Sequence, residues 1–187
     1  GAIYILYGEK TVVDGSVFDN CTSINKEGGA IVINGDYTII SNSNFTDCNA
    51  SSAEGLGGAI YIEGEETTIQ NAIFNECISV DGGAVFIQGN DVHISDSAFV
   101  ANKLKDYTDD DNYGGAIYIN GERTIISTST FEDHSAYTGG SIYINGTGTT
   151  ILDSNITKSA ADYGGAVFIQ GINAKIEGGN ISYCTCT

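Results

Sequence analysis

Apolar residues come in short runs separated by glycine and small polar residues, and the runs recur in phase along the chain. One unit shows the pattern. Ala116-Ile117-Tyr118-Ile119 is β-branched and aromatic, Asn120-Gly121 is a turn pair, Thr124-Ile125-Ile126 is a second apolar run and Ser129-Thr130-Phe131 a third, with His134 to Thr138 closing the unit. No eleven-residue window carries a convincing 3.6 period, and glycine recurs too often for helix. The pattern therefore predicts three short strands in a unit of about 25 residues.

The unit repeats seven times. Its second glycine falls at Gly1, Gly29, Gly58, Gly83, Gly115, Gly140 and Gly165, and an apolar residue follows 16 positions later in all but the first copy, where the distance is 17. That second column reads Phe18, Phe45, Phe74, Phe99, Phe131, Ile156 and Ile181. Length varies almost entirely between this column and the next Gly-Gly, in inserts of 4 to 11 residues. Three strands of this length cannot form a sheet with themselves, so each must pair with its equivalents in the neighbouring units. The expectation is an all-β parallel β-helix, or solenoid, of about seven rungs spaced about 4.8 Å apart, with residues 1–187 as one segment.

Paired Gly-Gly-Ala-Ile/Val and Phe-x-x-Asn tetrapeptides, alternating over nearly the whole chain, resemble the repeats of the chlamydial polymorphic membrane proteins and of related adhesin-like surface proteins in some archaea and protists. The resemblance implies a right-handed β-helix displayed outside the cell as an adhesin or passenger. Phe99-x-x-Asn102 alone keeps the family's Asn, and Cys21, Cys48, Cys77 and Cys184 occupy that column in four other copies. The family's C-terminal translocator barrel has no counterpart here.

Composition narrows the partners. Asp and Glu number 24 against 7 Lys and Arg, a net charge of −17, and Arg123 is the single arginine. Such a chain repels phosphate backbones and anionic bilayers, so neither nucleic acid nor direct membrane insertion is expected. The absence of an initiating Met and of a leader segment, with strand edges open at both ends, reads as a piece of a longer repeat protein. The expected partners are further rungs of the same chain, identical chains end to end, or a host or cell-surface protein or glycan.

Four sets of residues are candidates for chemistry. Between two inward Ile/Val columns lies an outward one, Tyr4, Val32, Tyr61, Phe86, Tyr118, Tyr143 and Phe168, and two readings stand: an aromatic binding stripe, or rings that stack to hold the sheet and are covered by loops. The cysteine column, Cys21, Cys48, Cys77 and Cys184, is either a strained disulfide ladder or a line of buried thiols. Six sequons, at Asn20, Asn44, Asn49, Asn145, Asn155 and Asn180, are compatible with a glycosylated surface protein. Asp106, Asp109, Asp110 and Asp111 in the longest insert offer oxygen ligands for calcium, but without the spacing of a calcium loop, and Cys184-x-Cys186 has no second pair to complete a zinc site. No metal or cofactor is assigned. A partial threonine column, Thr38, Thr67, Thr124 and Thr149, raises an ice-binding surface, which the irregular inserts oppose.

With one Arg and six Lys, none on the aromatic column, a polysaccharide lyase site is hard to place, and His93 and His134 lie on different columns. The expected function is a non-enzymatic extracellular shaft of a cell-surface adhesin or surface filament. The alternative is a β-helix that binds or degrades polysaccharide.

Overall fold

The computed structural model describes residues 1–24, 26–50, 52–105 and 112–186. Among these there is no helix, and none is therefore long and apolar enough to cross a membrane. The chain winds into a β-solenoid of about seven turns. Strands Ile3–Ile5, Ile31–Ile33, Ile60–Ile62, Val85–Ile87, Ile117–Ile119, Ile142–Ile144 and Val167–Ile169 form the first sheet, all parallel and in sequence order. A second seven-stranded sheet runs from Val12–Asp14 to Lys175–Glu177 and a third from Val17–Asp19 to Asn180–Ser182.

Every column stays in register. Ile3 pairs with Ile31, Ile94 with Ile126 and Phe74 with Phe99. The long insert before Gly114 does not shift it, since Val85 still pairs with Ile117. Two-residue strands at the corner after the third sheet add a narrow fourth ladder that the apolar pattern does not announce: Thr22–Ser23, Asn49–Ala50, Ile78–Ser79 and Lys103–Leu104, with Ala160–Ala161 and Thr185–Cys186 continuing it.

The Gly-Gly pair is a steric requirement. Gly57 has φ 65°, and a Cβ on Gly58 would lie 2.1 Å from the carbonyl oxygen of Gly83 in the next rung. The first glycine turns the chain, and the second lets two backbones touch. Inside the tube the expected columns form one core, from Ile5 and Val13 to Ile151 and Ile156. Phe18, Phe45, Phe74, Phe99 and Phe131 stack face to face with centroids 4.7–4.8 Å apart.

Polar residues join that interior. Thr38, Thr67, Thr124 and Thr149 are fully buried and so present no ice-binding plane. Their column lies one residue before the second-sheet strands and two before the inward Ile40, Ile69, Ile126 and Ile151, so alternation points these side chains into the tube.

A buried serine line, Ser43, Ser97, Ser129 and Ser154, closes the corner before the third sheet. Each hydroxyl donates to the carbonyl two residues back, as Ser97 Oγ does to Ser95 O at 2.8 Å, and accepts the amide of the preceding rung.

Candidate functional site

The cysteine column is a line of unbridged thiols. Cys48 and Cys77 are buried, and Cys21 and Cys184 are half-buried. Cys48 Sγ donates to the carbonyls of Phe18 and Thr46, each at 3.6 Å, and Cys77 Sγ to those of Phe45 and Asn75 at 3.7 and 3.6 Å. Hydrogen bonding to Cys48 and burial both push the Cys77 thiol well above its ordinary pKa. These sulfurs act as small packing groups that satisfy backbone oxygens at the corner.

Farther along the same column Asn102 and His134 replace cysteine. Asn102 Oδ1 accepts the Cys77 amide at 3.0 Å and Nδ2 donates to Phe74 O at 3.0 Å, while the His134 Nε2 lies 3.4 Å from that Nδ2. His134 Nδ1 faces Ser141 Oγ at 3.1 Å, which in turn lies 2.6 Å from Ser159 Oγ. Because Asn102 presents an N–H to Nε2, the network assigns the proton to Nδ1, whose N–H donates to Ser141 Oγ. Burial drives the His134 pKa down to about 3. Ser141 stands where the other rungs have alanine, Ala30, Ala59, Ala84, Ala116 and Ala166, and it gives the imidazole an acceptor. The trio looks like a nucleophile with its base, but Ser141 and Asn102 are fully buried and His134 nearly so.

The aromatic column does not form an open stripe. Tyr4 is 58% exposed, but Tyr61, Phe86 and Tyr143 are only 8%, 6% and 5% exposed, with Tyr118 and Phe168 half-buried. The column points away from the tube, as alternation requires. What covers it is the residue just before each Gly-Gly, a position linked rung to rung by single bridges from Glu27 to Leu56 to Asp81, and from Tyr113 to Thr138 to Tyr163. Leu56 packs on Val32, Tyr61 and Phe86, and Tyr113 packs on Tyr118 and Tyr143 with centroids 6.0 and 4.6 Å away. Burial pushes the Tyr61 pKa up to about 12 and raises Tyr118 further.

The cover opens at Thr138, and a smaller gap lies at Glu27, over Tyr4 and Val32. Thr138 lies between Tyr113 and Tyr163 in the covering line, and the space a bulkier residue would fill is a pocket of about 300 Å³. Tyr143 and Phe168 form its base with stacked rings, centroids 5.5 Å apart and planes within 1° of parallel. Tyr113 leans 43° to Tyr143, and Tyr137 stands at 71° to Tyr163 with centroids 5.6 Å apart. Gln170 completes the rim, its Oε1 accepting the Tyr143 hydroxyl at 2.6 Å. Asp81 Oδ1 accepts the Tyr113 amide at 3.0 Å, and burial, then Tyr113 and Asp81, raises the Tyr143 pKa.

Of the predicted aromatic residues, Tyr143 and Phe168 therefore enter a site, and Tyr61, Phe86 and Tyr118 belong to a covered stack. Tyr113, Tyr137, Tyr163, Thr138 and Gln170 complete the pocket and were not singled out by the column pattern. Tyr113, Thr138 and Tyr163 share the position just before each Gly-Gly, at the end of inserts whose varying length hides the column; Tyr137 and Gln170 carry no such signal.

Five of the six sequon asparagines are exposed, and Asn49 is half-buried with its Oδ1 buried and without a hydrogen-bond partner. Asp106, Asp109, Asp110 and Asp111 lie outside the described residues. Among the described residues no group of three or more His, Cys, Asp or Glu is placed to hold a metal ion. No family model matches the chain, and neither does any curated protein or solved structure.

Proposed function

We propose that this chain is the non-enzymatic β-helical shaft of an extracellular, glycosylated adhesin or surface filament, of the kind found in the chlamydial polymorphic membrane proteins that its repeats resemble. One observation carries the reading. Register is kept through every rung while the loops at one corner vary in length, so a constant rod bears a variable edge. Solenoids use such an edge for contact with partners, since insertions there leave the stacking interface untouched. The acidic surface keeps rods soluble and apart until a specific contact forms.

The test is attachment. Beads carrying the chain are expected to be retained on cell monolayers, or on one another, above beads coated with an equally acidic globular protein. Retention equal to that control, together with release of new sugar ends from a polysaccharide panel, would replace this reading with the enzymatic one.

A further inference from the structure

The pocket at Thr138 has the chemistry of an aromatic box. The rings of Tyr113, Tyr137 and Tyr163 line it above the base of Tyr143 and Phe168, and among the described residues neither Lys nor Arg lines it. Ring faces carry negative potential, so rings gathered around a small space attract a soft cation held within about 6 Å of their centroids. The angles among these rings matter. A flat sugar or nucleobase is best received by one extended platform, which these rings do not make, since Tyr113 is tilted 43° to Tyr143 and Tyr137 stands at 71° to Tyr163.

Charge points the same way. The chain carries −17 overall, Asp81 anchors the backbone of one wall, and Asp162 adjoins Tyr163 in the chain. Clefts in a field of one sign concentrate ligands of the opposite sign. An ammonium or guanidinium that must keep its own hydrogen bonds would lose them against these rings, and a methylated ammonium has none to lose. We propose that this pocket binds a small trimethylammonium compound of the choline type.

Titration of the 187-residue chain with choline, followed by saturation transfer to its N-methyl protons, tests this. One saturable site is expected, with 3,3-dimethylbutan-1-ol, the uncharged carbon isostere, at least tenfold weaker. Tyr163→Ala removes an exposed wall and is expected to weaken choline at least fivefold. Thr138→Tyr, which continues the residue type found at Tyr113 and Tyr163, is expected to fill the space and abolish binding; Thr138→Leu, matching Leu56 in the same line, serves if the tyrosine disturbs folding. Equal binding of the isostere would overturn the proposal in favour of a plain apolar slot. So would binding of N-acetylglucosamine or glucose in place of choline, or sedimentation with phosphatidylcholine vesicles by a chain that ignores free choline. The attachment test reads none of these outcomes, so either result can fail alone.

Discussion

A solenoid that turns sharply at three corners per rung has to place single residues in the left-handed region of the backbone map. Here that region is occupied at Tyr37, Glu66, Asp91 and Arg123 at one corner, at Asn42, Asn71, Asp96, Thr128 and Asp153 at the next, and at Asp47, Glu76, Ala101, Asp133 and Lys158 at the third. Asn and Asp tolerate it through local hydrogen bonding, but alanine has no such compensation, and an L-residue there costs about 1–2 kcal/mol. Ala101, at φ 49°, is therefore the clearest strained position. Ala101→Gly is expected to stabilise the fold by about 1 kcal/mol despite the larger entropy of the unfolded chain, giving a rise in melting temperature of about 2–4 °C. Thermal unfolding followed by far-ultraviolet circular dichroism checks this, and a lower melting temperature would contradict it. These corners were not legible in the sequence because their residue types differ from rung to rung. The Gly-Gly corner was legible because backbone contact admits no other residue.

Each ladder divides its work between packing and hydrogen bonding. The phenylalanine stack is the largest apolar element, and Phe74 sits in its middle, fully buried between Phe45 and Phe99. Phe74→Ala is expected to cost about 3–5 kcal/mol. Phe18→Ala, with a described aromatic neighbour on one side only, is expected to cost less. The serine ladder works differently. Ser97→Ala removes little volume but leaves the Ala72 amide without its 3.2 Å acceptor, at an expected cost of about 1–3 kcal/mol. Urea unfolding of the three variants orders them, and a Ser97→Ala chain as stable as wild type would mean that the hydroxyl carries no such bond. The Ile, Val and Phe columns were legible because apolar residues recur there without exception. The serine column was not, since serine is also a common loop residue and Ala72 interrupts it. The same limit explains the pocket: strand alternation locates Tyr143 and Phe168, but what covers or opens the strand face is set by the position before each Gly-Gly, whose residue type changes from Glu27 to Leu56, Asp81, Tyr113, Thr138 and Tyr163.

At the scale of the whole rod, two electrostatic contributions oppose each other as pH falls. The acidic coat repels itself, and that repulsion fades as carboxylates protonate or salt screens them. His134 acts in the opposite sense. Its imidazole stays neutral in the folded rod down to about pH 3, held by burial and facing an N–H of Asn102, whereas in the unfolded chain it accepts a proton near pH 6.5. Its contribution is therefore fully present above pH 6.5 and is lost as pH falls toward 3, at about 1.4 kcal/mol per pH unit. Carboxylates whose pKa is lowered in the fold, such as Asp14 by Ser41 and Asn42 and Asp91 by Arg123, lose stability at more acid pH, and they do so in any variant that keeps them. His134→Asn separates the two contributions, because Asn102 shows that this corner position accepts asparagine with both amide groups bonded. In 0.5 M NaCl, where coat repulsion is screened, urea unfolding at pH 7 and pH 5 is expected to show wild type losing about 2 kcal/mol more than His134→Asn. Equal losses would assign the acid sensitivity to groups the two chains share, such as the paired carboxylates, and leave His134 a packing residue.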